Sequence, residues 1–257
     1  MKSQPDATQE TSSAAELRHA LTGESTADKP RIDSWQSVED FDRPLAQMET
    51  VFWEPADTTS LRELIREQSL CSGKSVLEIG CGTGLLSLCA LKYGASAAVA
   101  TDINPAALAC ATFNAGELGL ADRLEVRQVP LDQPAAFSVI GPNERFDLIL
   151  SNPPWEDQQP DRIDDYALYD PGFGLMQSLL AGLVDHLEPG GRVYLAYGHR
   201  RAIEAILRLA PEHGLQVQVL DDREVSSLPD NFLPGMLLEL TPATILGGVT
   251  NQHQASE

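Results

Sequence analysis

One stretch constrains the fold more than any other: Val76-Leu77-Glu78-Ile79-Gly80-Cys81-Gly82-Thr83-Gly84-Leu85-Leu86. A short apolar run enters a turn with a glycine at every second position. Leu85, Leu88 and Cys89 then follow the i, i+3, i+4 spacing of a helix. Strand, glycine turn and helix in that order form the first unit of a parallel α/β sheet. Glycine lets the backbone take positive φ and approach a bulky ligand closely. The dinucleotide fingerprint is G-x-G-x-x-G. Here the glycines stand at 80, 82 and 84, and position 85 is Leu. The loop therefore does not match the pyrophosphate-binding spacing.

Strand and helix signals go on alternating from residue 75 to about 210. Ala97–Thr101 reads as a second strand ending at Asp102, and Leu124–Val129 as a third leading to Asp132. Phe146–Leu150 is a fourth, and 192–197, 215–220 and 236–240 complete seven. A helix over 175–187, with Met176, Leu179, Leu180, Leu183, Val184 and Leu187 on one stripe, stops at Glu188-Pro189-Gly190-Gly191. No helix signal separates the last two strands, which predicts an antiparallel pair joined by a long loop. The fold class is a Rossmann-like, doubly wound α/β sheet of seven strands, mostly parallel with an antiparallel last strand. Ser60-Leu61-Arg62-Glu63 reads as a capping box opening an earlier helix.

The domain reading is a disordered tail over 1–34, a helical entry segment over 35–70, one α/β domain over 71–242 and a second tail over 243–257. The net charge is −20, and only −2 of it falls in the first 30 residues (three basic, five acidic). A nucleic-acid binder shows a basic face, so this charge favours a protein partner. No run of 18 apolar residues exists and the N-terminus lacks an apolar signal core, which predicts a cytoplasmic chain. Cys71, Cys81, Cys89 and Cys110 lack metal-ligand spacing and read as apolar fillers of a reduced compartment. The expectation is a monomer without a metal.

Ser151-Asn152-Pro153-Pro154-Trp155 begins where the fourth strand ends, the edge at which open α/β sheets bind ligands. The Asn152 carbonyl oxygen and a backbone carbonyl can accept both hydrogens of one planar amino group. The prolines supply no N–H and fix φ. Trp155 offers a flat face to a flat acceptor. Asp102 lies 22 residues after Gly80, at the spacing of an acid that accepts ribose hydroxyls. Glu156–Asp170 holds six acids and one Arg in 15 residues. It reads as part of an acceptor site, as a lid, or as a solvated surface loop. His199 reads as a surface residue.

The pattern E-x-G-x-G-x-G resembles the first motif of class I S-adenosylmethionine (SAM)-dependent methyltransferases. Glu54-Pro55-Ala56-Asp57-Thr58, Asp102-Ile103-Asn104-Pro105 and Asn152-Pro153-Pro154 together resemble the HemK/PrmC family of protein glutamine methyltransferases over about residues 51–242. Trp155 stands where those enzymes carry Tyr. The resemblance implies SAM as donor and N5-methylation of a glutamine amide. It places Glu78, Gly80, Cys81, Gly82, Gly84, Asp102, Ile103, Asp132 and Asn152 around the cofactor. Asp132 would meet the adenine amino group, although a surface turn explains it almost as well. Asn152, Pro153, Pro154 and Trp155 would form the acceptor side. A nucleic-acid adenine or guanine amino methyltransferase uses the same kind of motif, with the aromatic stacking on a flipped base. A non-catalytic binding protein on the same fold is the third reading.

Overall fold

The computed structural model describes residues 30–243. The elements, in chain order, are β1 (Ile32–Gln36), β2 (Leu45–Met48), α1 (Thr59–Glu67), β3 (Ser75–Ile79), α2 (Leu85–Lys92), β4 (Ala97–Asp102), α3 (Pro105–Glu117), β5 (Leu124–Gln128), β6 (Phe146–Ser151), α4 (Gly174–His186), β7 (Leu187–His199), α5 (Arg200–Leu209), β8 (Leu215–Val219) and β9 (Asn231–Pro242). Short 3-10 turns lie between several of them, notably at Pro55–Thr58 and Ile163–Ala167.

The seven-stranded sheet runs β5-β4-β3-β6-β7-β9-β8. β3 pairs in parallel with β4 and β6, β4 with β5, and β6 with β7. β9 lies between β7 and β8 and is antiparallel to both. This is the expected architecture, with the last strand inserted. The central strands β3 and β6 are buried on both faces, so neighbouring residues serve different cores. Val76, Leu148 and Leu150 pack on one face with Leu61, Ile65, Leu88 and Leu91 of α1 and α2. Leu77, Ile149, Val193 and Leu195 pack on the other with Met176, Leu179, Leu183 and Ile206 of α4 and α5. That two-sided burial explains why these strands read as continuous apolar runs.

The entry segment departs from expectation. Helix was expected from residue 35, but regular structure begins at Ile32 with an antiparallel ribbon, β1 against β2. The free edge of β2 is satisfied by one side chain. Asn114 Oδ1 accepts from Ala46 N at 2.8 Å and Nδ2 donates to Ala46 O at 3.0 Å, so an amide on α3 stands in for a third strand. The helical part of the segment is confined to the 3-10 turn at 55–58 and α1. The capping box at 60–63 does not form. The cap residue is Thr58, Glu63 is exposed, and Ser60 Oγ donates to Gly235 O of β9 at 3.1 Å. A tertiary acceptor has taken the hydroxyl that the local motif would use. The tails expected at 1–34 and 243–257 lie outside the described residues, except for 30–34 and 243.

Candidate active site

A cavity of about 470 Å³ opens at the carboxyl ends of β3, β4 and β6. Its floor is the glycine loop. Gly80 N and Cys81 N both donate to Thr101 O, at 2.9 and 3.0 Å, which ties the loop to β4. Gly80 has φ +74°, and a Cβ there would meet no atom within 4 Å, so the loop is open on that side. Gly84, at φ +83°, begins α2, and a Cβ on it would stand 2.9 Å from Ala111 Cβ of α3. The third glycine thus allows two helices to approach while the first leaves room for a ligand.

Glu78, Asp102 and Ile103 line the cavity with Gly80, Cys81 and Gly82. Asp102 Oδ2 accepts Gly82 N at 2.9 Å and Oδ1 accepts Asn104 N at 2.8 Å. Each carboxyl oxygen keeps a second lone pair, so the group can still accept two ligand hydroxyls. Burial raises its pKa, and the N–H bonds oppose that rise. Glu78 is 2% exposed. Its Oε2 accepts from Ser87 N at 2.8 Å and from Ser87 Oγ. Burial pushes its pKa up to about 8 against those bonds. Two members of the expected set do not line the cavity: Gly84, which sits against Ala111 at the start of α2, and Asp132. Asp132 is exposed. The chain turns at 130–133, with Gln133 N donating to Pro130 O, and Pro134, Ala135 and Ala136 supply that wall instead.

On the acceptor side, Asn152 and Pro154 line the cavity. Asn152 Nδ2 donates to Ala196 O at 2.9 Å, which fixes the side chain and leaves Oδ1 as a free acceptor. Pro153 is buried beside it, and among the described residues no backbone N–H donates to its carbonyl. Trp155 does not present its face to the cavity, as the sequence suggested. It packs against the core and meets Phe52 nearly edge-on, with ring centroids 6.2 Å apart.

The acidic loop forms the roof. Trp155 N and Glu156 N both donate to Leu168 O, and Asp170 N donates to Glu156 O at 2.8 Å, so the loop closes on itself. It brings Pro160, Ile163, Tyr166, Tyr169 and Asp170 over the cavity. Thr50, Phe52, Trp53, Glu54 and Thr58 also line it. Most of these wall and roof residues were not singled out from the sequence. Their only signal was two tyrosines spaced by three within an acidic loop, and aromatics beside Glu54-Pro55. Among the described residues no Lys, Arg or His lines the cavity, whereas Glu54, Glu78, Asp102 and Asp170 do. His199, read as a surface residue, is half-buried and caps α5 by accepting Ala202 N. All four cysteines are buried and free. No helix among the described residues is long and apolar enough to cross a membrane.

Comparison with known proteins gives this geometry a family context. Residues 56–153 match the family "Ribosomal protein L11 methyltransferase (PrmA)". The chain is 37% identical over 161 residues to the release factor glutamine methyltransferase of Cereibacter sphaeroides, covering 58% of this chain and 55% of that protein. It is 46% identical over 81 residues to the ribosomal protein L11 methyltransferase of Escherichia coli, covering 32% of this chain and 25% of that one. The chain thus spans about half the length of the first relative and a quarter of the second. Among solved structures it resembles a SAM-dependent methyltransferase from Agrobacterium tumefaciens, with TM-score 0.56 and 18% identity over 80% of this chain and 69% of that one. It also resembles a ribosomal protein L11 methylase from Lactobacillus delbrueckii, with TM-score 0.53 and 20% identity over 72% and 79%. At those identities the structures speak for the fold.

Proposed function

We propose that this chain, which has the fold of SAM-dependent methyltransferases and matches methyltransferases in sequence over part of its length, transfers a methyl group from SAM to a planar nitrogen, the side-chain amide of a glutamine in a protein substrate. The observation that carries this reading is Asn152. Nδ2 is held by Ala196 O, no donor among the described residues bonds Oδ1, and Asn152 lines the cavity. A fixed acceptor of that kind suits one N–H of an amide. The carbonyl of Pro153, which lies between the lining residues Asn152 and Pro154 and accepts no backbone N–H among the described residues, would take the other.

The residues present fit the cofactor. A cavity of about 470 Å³ falls within the ordinary size of small-molecule sites. Asp102 would take the ribose hydroxyls. Ile103, Val129, Pro134 and Ala135 would flank the adenine. The open glycine loop would admit the amino-acid end, with Glu78 beneath it. Bound SAM supplies a methyl group already activated on a sulfonium. What remains for the chain is to position the acceptor. An amide nitrogen is a weak nucleophile because its lone pair is delocalised. Acceptors on both of its hydrogens would bias it toward tetrahedral geometry and stabilise the charge that develops on it. This requires no general base, and His199 is committed to capping α5.

Two observations favour protein over nucleic acid. Among the described residues, no cation lines the cavity to meet a phosphate. Trp155, which would stack on a flipped base, is packed beside Phe52. The release factor relative acts on glutamine by its name and matches this chain over 161 residues at 37% identity. The test is incubation with tritiated SAM and cell extract, followed by protease or nuclease digestion. Label released by protease, resistant to nuclease and recovered as N5-methylglutamine is the expected result. Label released by nuclease overturns the glutamine reading.

A further inference from the structure

Tyr197 carries a buried polar group that the proposed chemistry leaves unexplained. It is 0% exposed, and its hydroxyl has no hydrogen-bond partner. An unpaired buried hydroxyl costs roughly 1–3 kcal/mol, and phenylalanine would fill the same space without that cost. Local conflicts of this kind concentrate at functional sites.

Its placement gives the conflict a use. β6 and β7 run in parallel with Ser151 opposite Leu195. Two residues further along β7 comes Tyr197, where β6 has ended and the Asn152–Trp155 turn has begun. The preceding residue, Ala196, is the one whose carbonyl holds the Asn152 amide. The Tyr197 ring belongs to the same core cluster as Met176 and Leu179, with Trp155 packed against it. Asp170, near enough to act on the phenol electrostatically, lines the cavity and is 3% exposed. Its carboxylate accepts from Leu175 N at 2.8 Å and Met176 N at 3.1 Å, and its own N–H ties the end of the roof to Glu156. Asp170 therefore joins the roof, the start of α4 and the residue that follows Trp155.

We infer that Tyr197 is a positioning residue for transfer, whose hydroxyl donates to the Asp170 carboxylate once the cavity is filled and the roof has settled. This role presupposes the methyl transfer proposed above. Burial, with Asp170 nearby, holds the phenol well above its ordinary range. The group is thus a neutral donor and not a base. A bond made only in the filled state helps the later step and leaves cofactor affinity alone. It would fix the acceptor turn and the roof in one register, with Asn152 aimed.

The test is Tyr197→Phe, assayed by initial rates of tritium transfer from SAM to the protein fraction of cell extract. A lost bond to a charged partner predicts a rate at saturating SAM about tenfold lower, with KM for SAM changed by less than about twofold. Thermal unfolding of the ligand-free variant should be unchanged or shifted upward. A saturating rate within about twofold of the parent, or a ligand-free melting point that falls, overturns the role. If the parent protein itself labels nothing, the glutamine reading fails first. The role of Tyr197, which presupposes transfer, falls with it, whereas a parent that labels beside a Phe variant of unchanged saturating rate removes the Tyr197 role alone.

Discussion

Asn152 on the turn after β6 is tethered to Ala196 on β7 by a 2.9 Å bond from its side-chain Nδ2. The bond orients the amide, because the end that donates cannot also face the ligand. Asn152→Ala removes the free oxygen and the tether together. Transfer should fall by at least about a hundredfold, the loss typical of a removed transition-state acceptor or donor. SAM affinity by calorimetry should stay within about threefold, since the donor half of the cavity is built by β3 and β4. Turnover close to that of the parent would remove Asn152 from the chemistry.

Asp102 makes a different prediction because it serves structure and ligand at once. It accepts Gly82 N and Asn104 N, so Asp102→Ala leaves two backbone donors unpaired. Titration calorimetry should show SAM binding weakened by roughly 1–3 kcal/mol, and the melting temperature should drop in the absence of ligand. Asp102→Asn is the sharper variant, because one amide oxygen can still accept one of the two N–H groups. It should restore part of the stability and little of the affinity. Equal affinity in all three proteins would dissociate Asp102 from the ribose.

The contrast between what the residues announced and what they withheld is physical. Val76 and Leu77, or Leu148 and Ile149, lie on opposite faces of one sheet and are all apolar. A strand buried on both sides is therefore legible as an apolar run, and the seven strand segments were legible that way, whereas their order across the sheet came only with the structure. Gly80, Gly84, Asp102 and Asn152 were legible because each meets a backbone or hydrogen-bonding requirement that few other residues satisfy. Ser60 misled because the Gly235 carbonyl, 175 positions away in the chain, outcompeted its local partner. Asp132 misled because a turn acid looks the same in sequence whether it faces solvent or ligand. Trp155 misled because Phe52, over a hundred positions earlier, decides which way the indole turns. The ribbon at 32–48 was missed because its strands are short and one edge is completed by the side chain of Asn114.

Glu78 predicts a pH dependence of stability. Its pKa rises from an ordinary 4.5 to about 8 in the folded protein, chiefly by burial. Between those values the folded state holds a proton that the unfolded state has released. Stability from this group is therefore fully present below about pH 4.5 and is lost as pH rises toward 8. One such proton corresponds to roughly 1.4 kcal/mol per pH unit within the window. Glu78→Gln keeps an acceptor for Ser87 N and cannot ionise. Urea unfolding at several values between pH 5 and pH 8 should show the variant gaining on the parent as pH rises. Asp57, also raised by burial to about 6, titrates in both proteins and cancels in the difference. Parallel stability curves for the two proteins would show that Glu78 is ionised throughout.

Gly84 separates backbone strain from crowding in one position. At φ +83° a side chain is strained wherever space exists, and here a Cβ would also lie 2.9 Å from Ala111 Cβ. Gly84→Ala should cost about 2 kcal/mol or more, measured by urea unfolding, from the left-handed conformation and from overpacking α2 on α3. Adding Ala111→Gly removes the clash but leaves φ unchanged. It also places a glycine inside α3, which costs about 1 kcal/mol itself. The double variant should therefore recover little or none of the loss, while the cycle of single and double variants still shows a favourable coupling between the two sites. Strict additivity would mean that α2 and α3 are not in contact there. The close approach that the third glycine allows would then play no part in holding the cofactor loop.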